Sequence, residues 1–250
     1  MRRMRPRGLS PAAYGIVVLA LAACGSPAAP ATDTVTVLAA ASLTEAFDQL
    51  SGDFTADHPG VTVELSYGSS ATLVQQVDHG APADVLALAG ESAADPLDRS
   101  AVRSSTPFAG NVLEIAVPST NPAHVTGIGD LGRAGLKVVL CAPAVPCGRA
   151  ADATFAKAGI IPSAVSREVD VKATLSKVRL GEADAAVVYH SDVVAAGVAV
   201  TGVPIPEAVN TRLRYPIITL TGDPSAQAFV DYVVGERGQH TLRSFGFTSP

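Results

Sequence analysis

Several predicted strands of this 250-residue chain end at a small or polar residue and continue directly into a helix. The residues at these junctions are Ser42, Ser69, Ser70, Cys147 and Tyr189. The unpaired N–H groups and the positive dipole end of a helix N-terminus attract anions, and hydroxyl groups supply further hydrogen-bond donors. The junctions therefore predict a site that binds a small oxyanion through several neutral donors.

Each serine junction also has a simpler interpretation as a helix cap. Ser42 and Glu45 have the capping-box spacing S-x-x-E, which predicts that Ser42 caps a helix beginning at Leu43. We expect Ser42 to serve both as a cap and as an anion ligand, because the N-terminus of the helix that it caps attracts anions. At the second junction, Ser69 is the alternative to Ser70 as the residue that faces the ligand.

The order of elements predicts an α/β fold with mostly parallel sheets, because strands and helices alternate from Thr34 onward. Apolar runs predict strands at 35–39, 61–67, 84–89, 111–118, 137–140, 185–189 and 215–220, and the last predicted helix covers 226–235. The strands at 111–118 and 215–220 are expected to cross into a second lobe and back. Ligands bind at the carboxyl ends of strands in open α/β sheets, so two facing lobes would bring the junctions into one cleft.

The first residues have the features of a targeting segment. Four arginines precede an apolar stretch at 14–22 that is too short for a membrane anchor in the mature protein. Leu21-Ala22-Ala23-Cys24-Gly25 resembles a bacterial lipobox, in which Cys24 is lipidated; a plain secretory signal is the alternative. We predict a signal peptide at 1–23 and a lipidated tether at 24–33 that holds the protein at the extracytoplasmic face of the cell membrane.

The charge balance argues against a nucleic-acid partner. The chain has 18 basic and 23 acidic residues, and without the four leader arginines the balance is 14 to 23, a net charge of −9. Such a surface cannot neutralise a phosphate backbone. It still permits binding of a small anion, because N–H dipoles dominate inside a dry cleft.

Cys141 and Cys147 lie close together in a chain that we expect to reach an oxidising compartment. A local disulfide is the natural interpretation. A metal pair is the alternative, but a closed zinc site would need two further Cys or His ligands nearby. We expect no bare metal ion and no cofactor.

Four ordered motifs resemble those of the molybdate-binding proteins that feed ABC transporters. They are Ala39-Ala40-Ala41-Ser42-Leu43-Thr44, Tyr67-Gly68-Ser69-Ser70-Ala71-Thr72-Leu73, Gly80-Ala81-Pro82-Ala83-Asp84-Val85 and Val188-Tyr189-His190-Ser191-Asp192. The resemblance extends from about Thr34 to the C-terminus. No single motif decides it, but their order along the chain is specific.

The resemblance implies a two-lobed periplasmic-binding-protein fold of type II, with the oxyanion in the interlobe cleft. Lobe 1 would comprise 34–109 and 217–250, and lobe 2 would comprise 110–216. The implied ligands are the hydroxyls of Ser42, Ser70 and Tyr189 and the backbone N–H groups of Cys147 and Val171. Cys147 stands where the family usually has a small apolar residue, and a backbone N–H donor survives that change. Because Val169 lies close by, the assignment of the second N–H donor to Val171 stays open.

The resemblance further implies a monomeric solute-binding lipoprotein, not an enzyme, that delivers molybdate and also tungstate to a membrane permease. Sulfate is the nearest alternative ligand, because it carries the same charge in a smaller volume. Hydrogen phosphate is disfavoured, because its proton requires an acceptor such as a carboxylate. An extracytoplasmic serine hydrolase is the alternative from another class, but G-x-S-x-G and S-x-x-K motifs are absent from the sequence.

Overall fold

The computed structural model describes residues 33–250, which belong to one compact unit. The predicted signal peptide and Cys24 lie outside the described residues. The strands are β1 (Asp33–Ala40), β2 (Val61–Gly68), β3 (Val85–Ala87), β4 (Ser104–Pro118), β5 (Val138–Cys141), β6 (Ala164–Glu168), β7 (Ala185–Tyr189), β8 (Val200–Pro204) and β9 (Arg212–Thr219). The helices are α1 (Thr44–Asp57), α2 (Ser70–Asp78), α3 (Pro146–Ala158), α4 (Val171–Arg179), α5 (His190–Ala196), α6 (Pro224–Val234) and α7 (Glu236–Ser244). Within 33–250, no helix is both long enough and apolar enough to cross a membrane.

The strands form one mixed sheet in the order β2-β1-β3-β9-β4-β7-β5-β6, and β8 pairs with β4. The pairs β1–β2, β1–β3, β5–β6 and β5–β7 are parallel. Every antiparallel pair involves β4 or β9. The α/β fold is therefore confirmed, and the antiparallel pairing arises where the crossover strands join the two parallel groups.

The long strand β4 connects the two halves of the sheet, the first formed by β1, β2 and β3 and the second by β5, β6 and β7. It pairs with β9 from Ser104 to Val112 and with β7 from Leu113 to Ala116. It is longer than the sequence predicts, because its first half carries polar residues and a register shift after Pro107 that interrupt the apolar run. β4 and β9 together are the two chain crossings between the halves.

Apolar helix faces cover the sheet and form the core. In the first half, Phe47 and Phe54 of α1 pack edge-on against Phe229 of α6, with ring centroids 6.2 and 5.3 Å apart. In the second half, Phe155 of α3 and Leu175 of α4 are buried in the same core cluster. The periodic apolar residues of these helices therefore fix them against the sheet, with their N-termini at the carboxyl ends of the strands.

The prediction that Ser42 caps α1 is wrong. α1 begins at Thr44, and Ser42 lies in a preceding 3₁₀ turn formed by Ala41–Leu43. Its hydroxyl lies 3.1 Å from the hydroxyl of Tyr215 and makes no capping bond. Glu45 pairs with Lys172 at 2.7 Å instead of completing a capping box.

The prediction that the helix at 226–235 is the last one is also wrong. That helix corresponds to α6, and α7 follows it after Gly235. α7 buries only Gly238, Thr241 and Leu242, so its sequence lacks the apolar periodicity that identifies a helix.

Candidate functional site

A cavity between the two halves of the sheet contains all five predicted ligand residues. Its lining consists of Ala40, Ala41, Ser42, Gly68, Ser69, Ser70, Ala89, Val145, Pro146, Cys147, Asp170, Val171 and Tyr189. The empty space is about 230 Å³, part of which is open to solvent. The carboxyl ends of β1, β2 and β7 and the first residues of α2, α3 and α4 therefore converge on one point, as the strand-to-helix junctions predict.

Ser70 and Ser69 have different roles at the start of α2. Ser69 is the N-cap, and its hydroxyl accepts a hydrogen bond from the N–H of Thr72 at 3.2 Å. Ser70 is the first helical residue, and its hydroxyl accepts from the N–H of Ala89 at 2.9 Å. Because the cap occupies Ser69, the geometry favours Ser70 as the serine available to a ligand.

The first residues of α3 and α4 line the cavity. Cys147 is the second residue of α3 and Val171 is the first of α4, so their N–H groups have no partner within their own helices. Val171 is buried and lines the cavity, whereas Val169 is 72% exposed. The structure therefore supports the register that assigns the donor to Val171.

Tyr189 supplies a buried hydroxyl with no hydrogen-bond partner among residues 33–250. The side chain is 1% exposed, and its ring meets that of Tyr215 edge-on with centroids 6.1 Å apart. Burial raises the pKa of Tyr189 well above its ordinary value, so the hydroxyl stays protonated. An unsatisfied buried hydroxyl is costly, and an acceptor oxygen in the cavity would satisfy it.

The cavity offers neutral donors only. No lysine, arginine or histidine is among the described residues that line it. Asp170 is the one carboxylate in the lining, and it caps α4 by accepting from the N–H of Ala173 at 2.8 Å. In 33–250, no cluster of three or more His, Cys, Asp or Glu side chains could hold a metal ion. Arg149 is exposed and donates to the carbonyl of Ala144.

The cation nearest in sequence to these donors is Lys172, which follows Val171. Its Nζ lies 2.7 Å from Oε2 of Glu45 and 3.1 Å from Oδ1 of the fully buried Asp192. Burial opposes the charged form of Lys172, but the two carboxylates outweigh it and raise the lysine pKa. Glu45 lies on α1, which packs on the first half of the sheet, and Asp192 lies on α5, which packs on the second. The two carboxylates therefore neutralise the ammonium from both sides.

A disulfide joins Cys141 at the end of β5 to Cys147 in α3, with the Cα atoms 5.7 Å apart. The bridge closes the loop that turns from the strand into the helix. It therefore restrains the backbone that presents the N–H group of Cys147.

Replacing both cysteines with alanine in the 34–250 fragment is expected to lower the free energy of unfolding by about 2–3 kcal/mol, the loop-closure value for so short a loop. Urea denaturation with and without reductant measures this change. The double variant is the control, because reductant should leave it unaffected. An unchanged wild-type midpoint after complete reduction would contradict the prediction.

Sequence reasoning missed two buried polar residues beside Ser42. Asn111 of β4 and Tyr215 of β9 are 1% and 0% exposed, and both hydrogen-bond within this part of the structure. The available signal was a polar side chain within an otherwise apolar crossover strand. This signal is insufficient, because a polar residue in an apolar strand does not indicate which side chain it will hydrogen-bond.

Comparison with known proteins places the chain among binding proteins. Residues 35–248 match the family described as bacterial extracellular solute-binding protein. The chain is 38% identical to the molybdate-binding protein ModA of Mycobacterium tuberculosis, over 99% of this chain and 100% of that protein. It resembles the solved substrate binding domain of a putative molybdenum ABC transporter from Clostridium difficile (TM-score 0.67, 25% identity, 88% of this chain and 100% of that one). The sulfate-binding protein SubI of M. tuberculosis shares the fold (TM-score 0.77, 21% identity, 87% of each chain).

Proposed function

Because this chain belongs to the family of bacterial extracellular solute-binding proteins, we propose that it captures molybdate outside the cytoplasm for an ABC transporter. Its 38% identity to a molybdate-binding protein over the whole chain supports this ligand. The observation that carries the proposal is a cavity lined by hydroxyl and N–H groups from both halves of the sheet. A small anion with several equivalent acceptor oxygens fits such a set of donors.

We propose the hydroxyls of Ser42, Ser70 and Tyr189 and the N–H groups of Cys147 and Val171 as the donors to the oxyanion. All five line the cavity, and the Tyr189 hydroxyl has no other partner among the described residues. Tungstate presents the same charge and tetrahedral oxygens and is proposed as a second ligand. Sulfate is the closest competitor, since SubI shares the fold.

We propose that binding operates by closure of two lobes, 34–109 with 217–250 and 110–216. Ser42 and Ser70 belong to the first lobe, and the other three proposed donors belong to the second. An anion that contacts both sets favours the closed arrangement over the open one. We further propose a monomer attached to the membrane through lipidated Cys24, which delivers its ligand to the permease.

The structure offers little support for a serine hydrolase. The hydroxyl of Ser42 contacts Tyr215, and that of Ser70 accepts from the N–H of Ala89. No histidine is among the described residues lining the cavity, so neither serine has an adjacent general base there. The relatives found are likewise solute-binding proteins, and binding without catalysis is the proposed role.

Calorimetric titration of the 34–250 fragment with molybdate, tungstate, sulfate and phosphate tests this function. Molybdate and tungstate are expected to bind, and no heat from either would contradict the proposal. Ser42→Ala, Ser70→Ala and Tyr189→Phe should each weaken molybdate binding by about 1–3 kcal/mol, because each removes a hydrogen bond to a charged group.

Ser244→Ala and Tyr232→Phe are matched controls for these variants. Within residues 33–250 the Ser244 hydroxyl donates to the carbonyl of Thr241 in α7, and Tyr232 lies on α6, outside the cavity lining. Both control proteins should bind as wild type does. Wild-type affinity in all three site variants would show that the donors are misassigned even if molybdate binds.

A further inference from the structure

A second open space, here called the outer groove, lies beside the cavity. Three arginines line it, Arg149 of α3 and Arg212 and Arg214 of β9, together with one acidic residue, Glu91. Its empty space is about 820 Å³, part of which is open to solvent. Without the four leader arginines the chain has 14 basic and 23 acidic residues. The groove therefore concentrates positive charge on a protein that is negative overall.

The fold brings further cationic character to the same groove. Arg212 and Arg214 are exposed on one face of β9, whereas Leu213 between them is buried, as the alternation of side chains along a strand requires. Lys157 of α3 lies at the edge of the groove, because its ammonium donates to the hydroxyl of Thr211, another lining residue, at 3.4 Å. Four cations are therefore gathered around one space.

The nearby carboxylates leave the arginines of β9 available to an anion. Arg212 lies 3.5 Å from Oε1 of Glu207, and Arg214 lies 3.6 Å from Oε1 of Glu91. Both distances are longer than a good hydrogen bond, and all four side chains are more than half exposed. Such exposed ion pairs contribute little, so an oxyanion from solvent can take the guanidinium N–H groups.

Arg149 extends the influence of the outer groove into the cavity. One of its N–H groups donates to the carbonyl of Ala144 at 2.6 Å, which leaves the other guanidinium N–H groups for a ligand. Burial raises the pKa of the Tyr189 hydroxyl, and the positive charge of Arg149 opposes that rise. The charge at the groove therefore acts on the space in which the ligand is expected to bind.

The wall between the cavity and the outer groove contains one residue from each half of the sheet. Ala89 and Pro146 line both spaces. Ala89 follows β3 of the first half, and Pro146 begins α3 of the second. Under the proposed closure of two lobes, separation of the halves would part this wall and join the two spaces. An anion held by the arginines would then lie at the mouth of the cavity.

We propose that Arg149, Arg212 and Arg214 form an outer anion site, which collects divalent oxyanions from solvent before they enter the cavity. This role rests on the proposed anion-binding function and deepens it. A net charge of −9 without the leader arginines repels dianions, and a local group of positive charges offsets that repulsion and raises the association rate. Because salt screens distant charges, the arginines beside the cavity count for more than the net charge.

Replacing all three arginines with glutamine in the 34–250 fragment tests this role. Calorimetry gives the dissociation constant for molybdate, and rapid filtration of radiolabelled molybdate chased with unlabelled molybdate gives the dissociation rate. Together they yield the association rate. At low ionic strength we expect association to be about tenfold slower, at the lower end of the range for electrostatic steering, and dissociation to be unchanged. Added sodium chloride should shrink the difference, because it screens the charges.

The triple variant Arg99→Gln, Arg179→Gln and Arg243→Gln is the matched control. These arginines are exposed and line neither space, and their removal changes the net charge by the same amount. Association in this variant should slow by less than about twofold. Equal slowing in both triple variants would assign the effect to net charge and overturn the proposal. Weaker binding through faster dissociation alone would also overturn it, since the arginines would then stabilise the complex and not its capture.

NMR of the arginine side chains tests the outer site without reference to capture rates. With the cavity saturated by molybdate, sodium sulfate is expected to shift the Nε–Hε signals of the three groove arginines more than sodium chloride does at equal ionic strength. The signal of Arg99 should respond to both salts alike. Absence of a sulfate-specific shift would overturn the proposal. If the wild-type protein binds no molybdate, the proposed function fails, and the sulfate titration of the unliganded protein tests the outer site by itself.

Discussion

Replacing Lys172 with methionine is expected to lower the free energy of unfolding by about 3–5 kcal/mol, the cost of removing one partner of a buried ion pair. The ammonium lies 3.1 Å from Asp192, whose side chain is fully buried. Without Lys172, the carboxylate would keep its desolvation cost and lose the opposite charge that compensates for it. Urea denaturation at neutral pH measures the loss.

The pH dependence of the Lys172→Met protein provides a specific check. Burial raises the pKa of Asp192 even though Lys172 acts against the shift, so removing the lysine should raise that pKa further. The folded state then binds a proton more readily than the unfolded state, and stability must fall as the pH rises through the folded pKa. The deficit relative to wild type should therefore shrink as the pH is lowered from neutrality.

Asp192→Asn in the Lys172→Met background is the control for this prediction. The asparagine oxygen can still accept from the N–H of Tyr189, as Oδ2 of Asp192 does at 3.2 Å. Most of the lost stability should return, because no buried charge remains. A double variant as unstable as Lys172→Met alone would mean that packing of the lysine stem, and not charge, explains the loss.

Replacing Gly148 with alanine is expected to lower the free energy of unfolding by about 3 kcal/mol or more, at or beyond the upper end of the usual overpacking range. A Cβ atom at this position would overlap the carbonyl oxygen of Ala142 and lie 2.8 Å from that of Cys141. Both obstacles are backbone atoms within or beside the loop closed by the disulfide, so neither can rotate away. Molybdate affinity should fall as well, because the displaced loop carries Cys147.

Gly52→Ala is the matched control for this substitution. Gly52 lies exposed within α1, and a Cβ there would meet nothing within 4 Å. Alanine also favours the helix, so this variant should be as stable as wild type or up to about 1 kcal/mol more stable. Denaturation curves and molybdate titrations of both proteins measure the difference. Wild-type stability for Gly148→Ala would mean that the loop can rearrange.

The parts of the fold that the sequence predicts are those with a strong local signal. The apolar runs that become β1 and β7 identify their strands, and the small or polar residues after them mark the junctions at Ser42 and Tyr189. Helix N-termini at the carboxyl ends of strands follow from the α/β alternation itself. The convergence of these junctions on one cavity therefore follows from the sequence.

The interactions that the sequence does not predict join residues far apart in the chain. Ser42 and Glu45 have the local spacing of a capping box, yet Ser42 bonds to Tyr215, 173 residues away, and Glu45 to Lys172, 127 residues away. Local patterns report what neighbours along the chain could do. Such patterns cannot reveal a residue far away in the sequence that forms the stronger interaction with the same side chain.

The edge-on pair of Tyr189 and Tyr215 gives the protein an intrinsic optical probe. The chain contains no tryptophan and five tyrosines, so tyrosine dominates its near-ultraviolet absorbance and emission. Only four of the five lie in the described residues, and two of those four form this pair. A phenol that passes from an unbonded state to donation to an anion changes its absorbance and emission. Occupancy of the cavity could therefore be read spectroscopically, without a dye or a label.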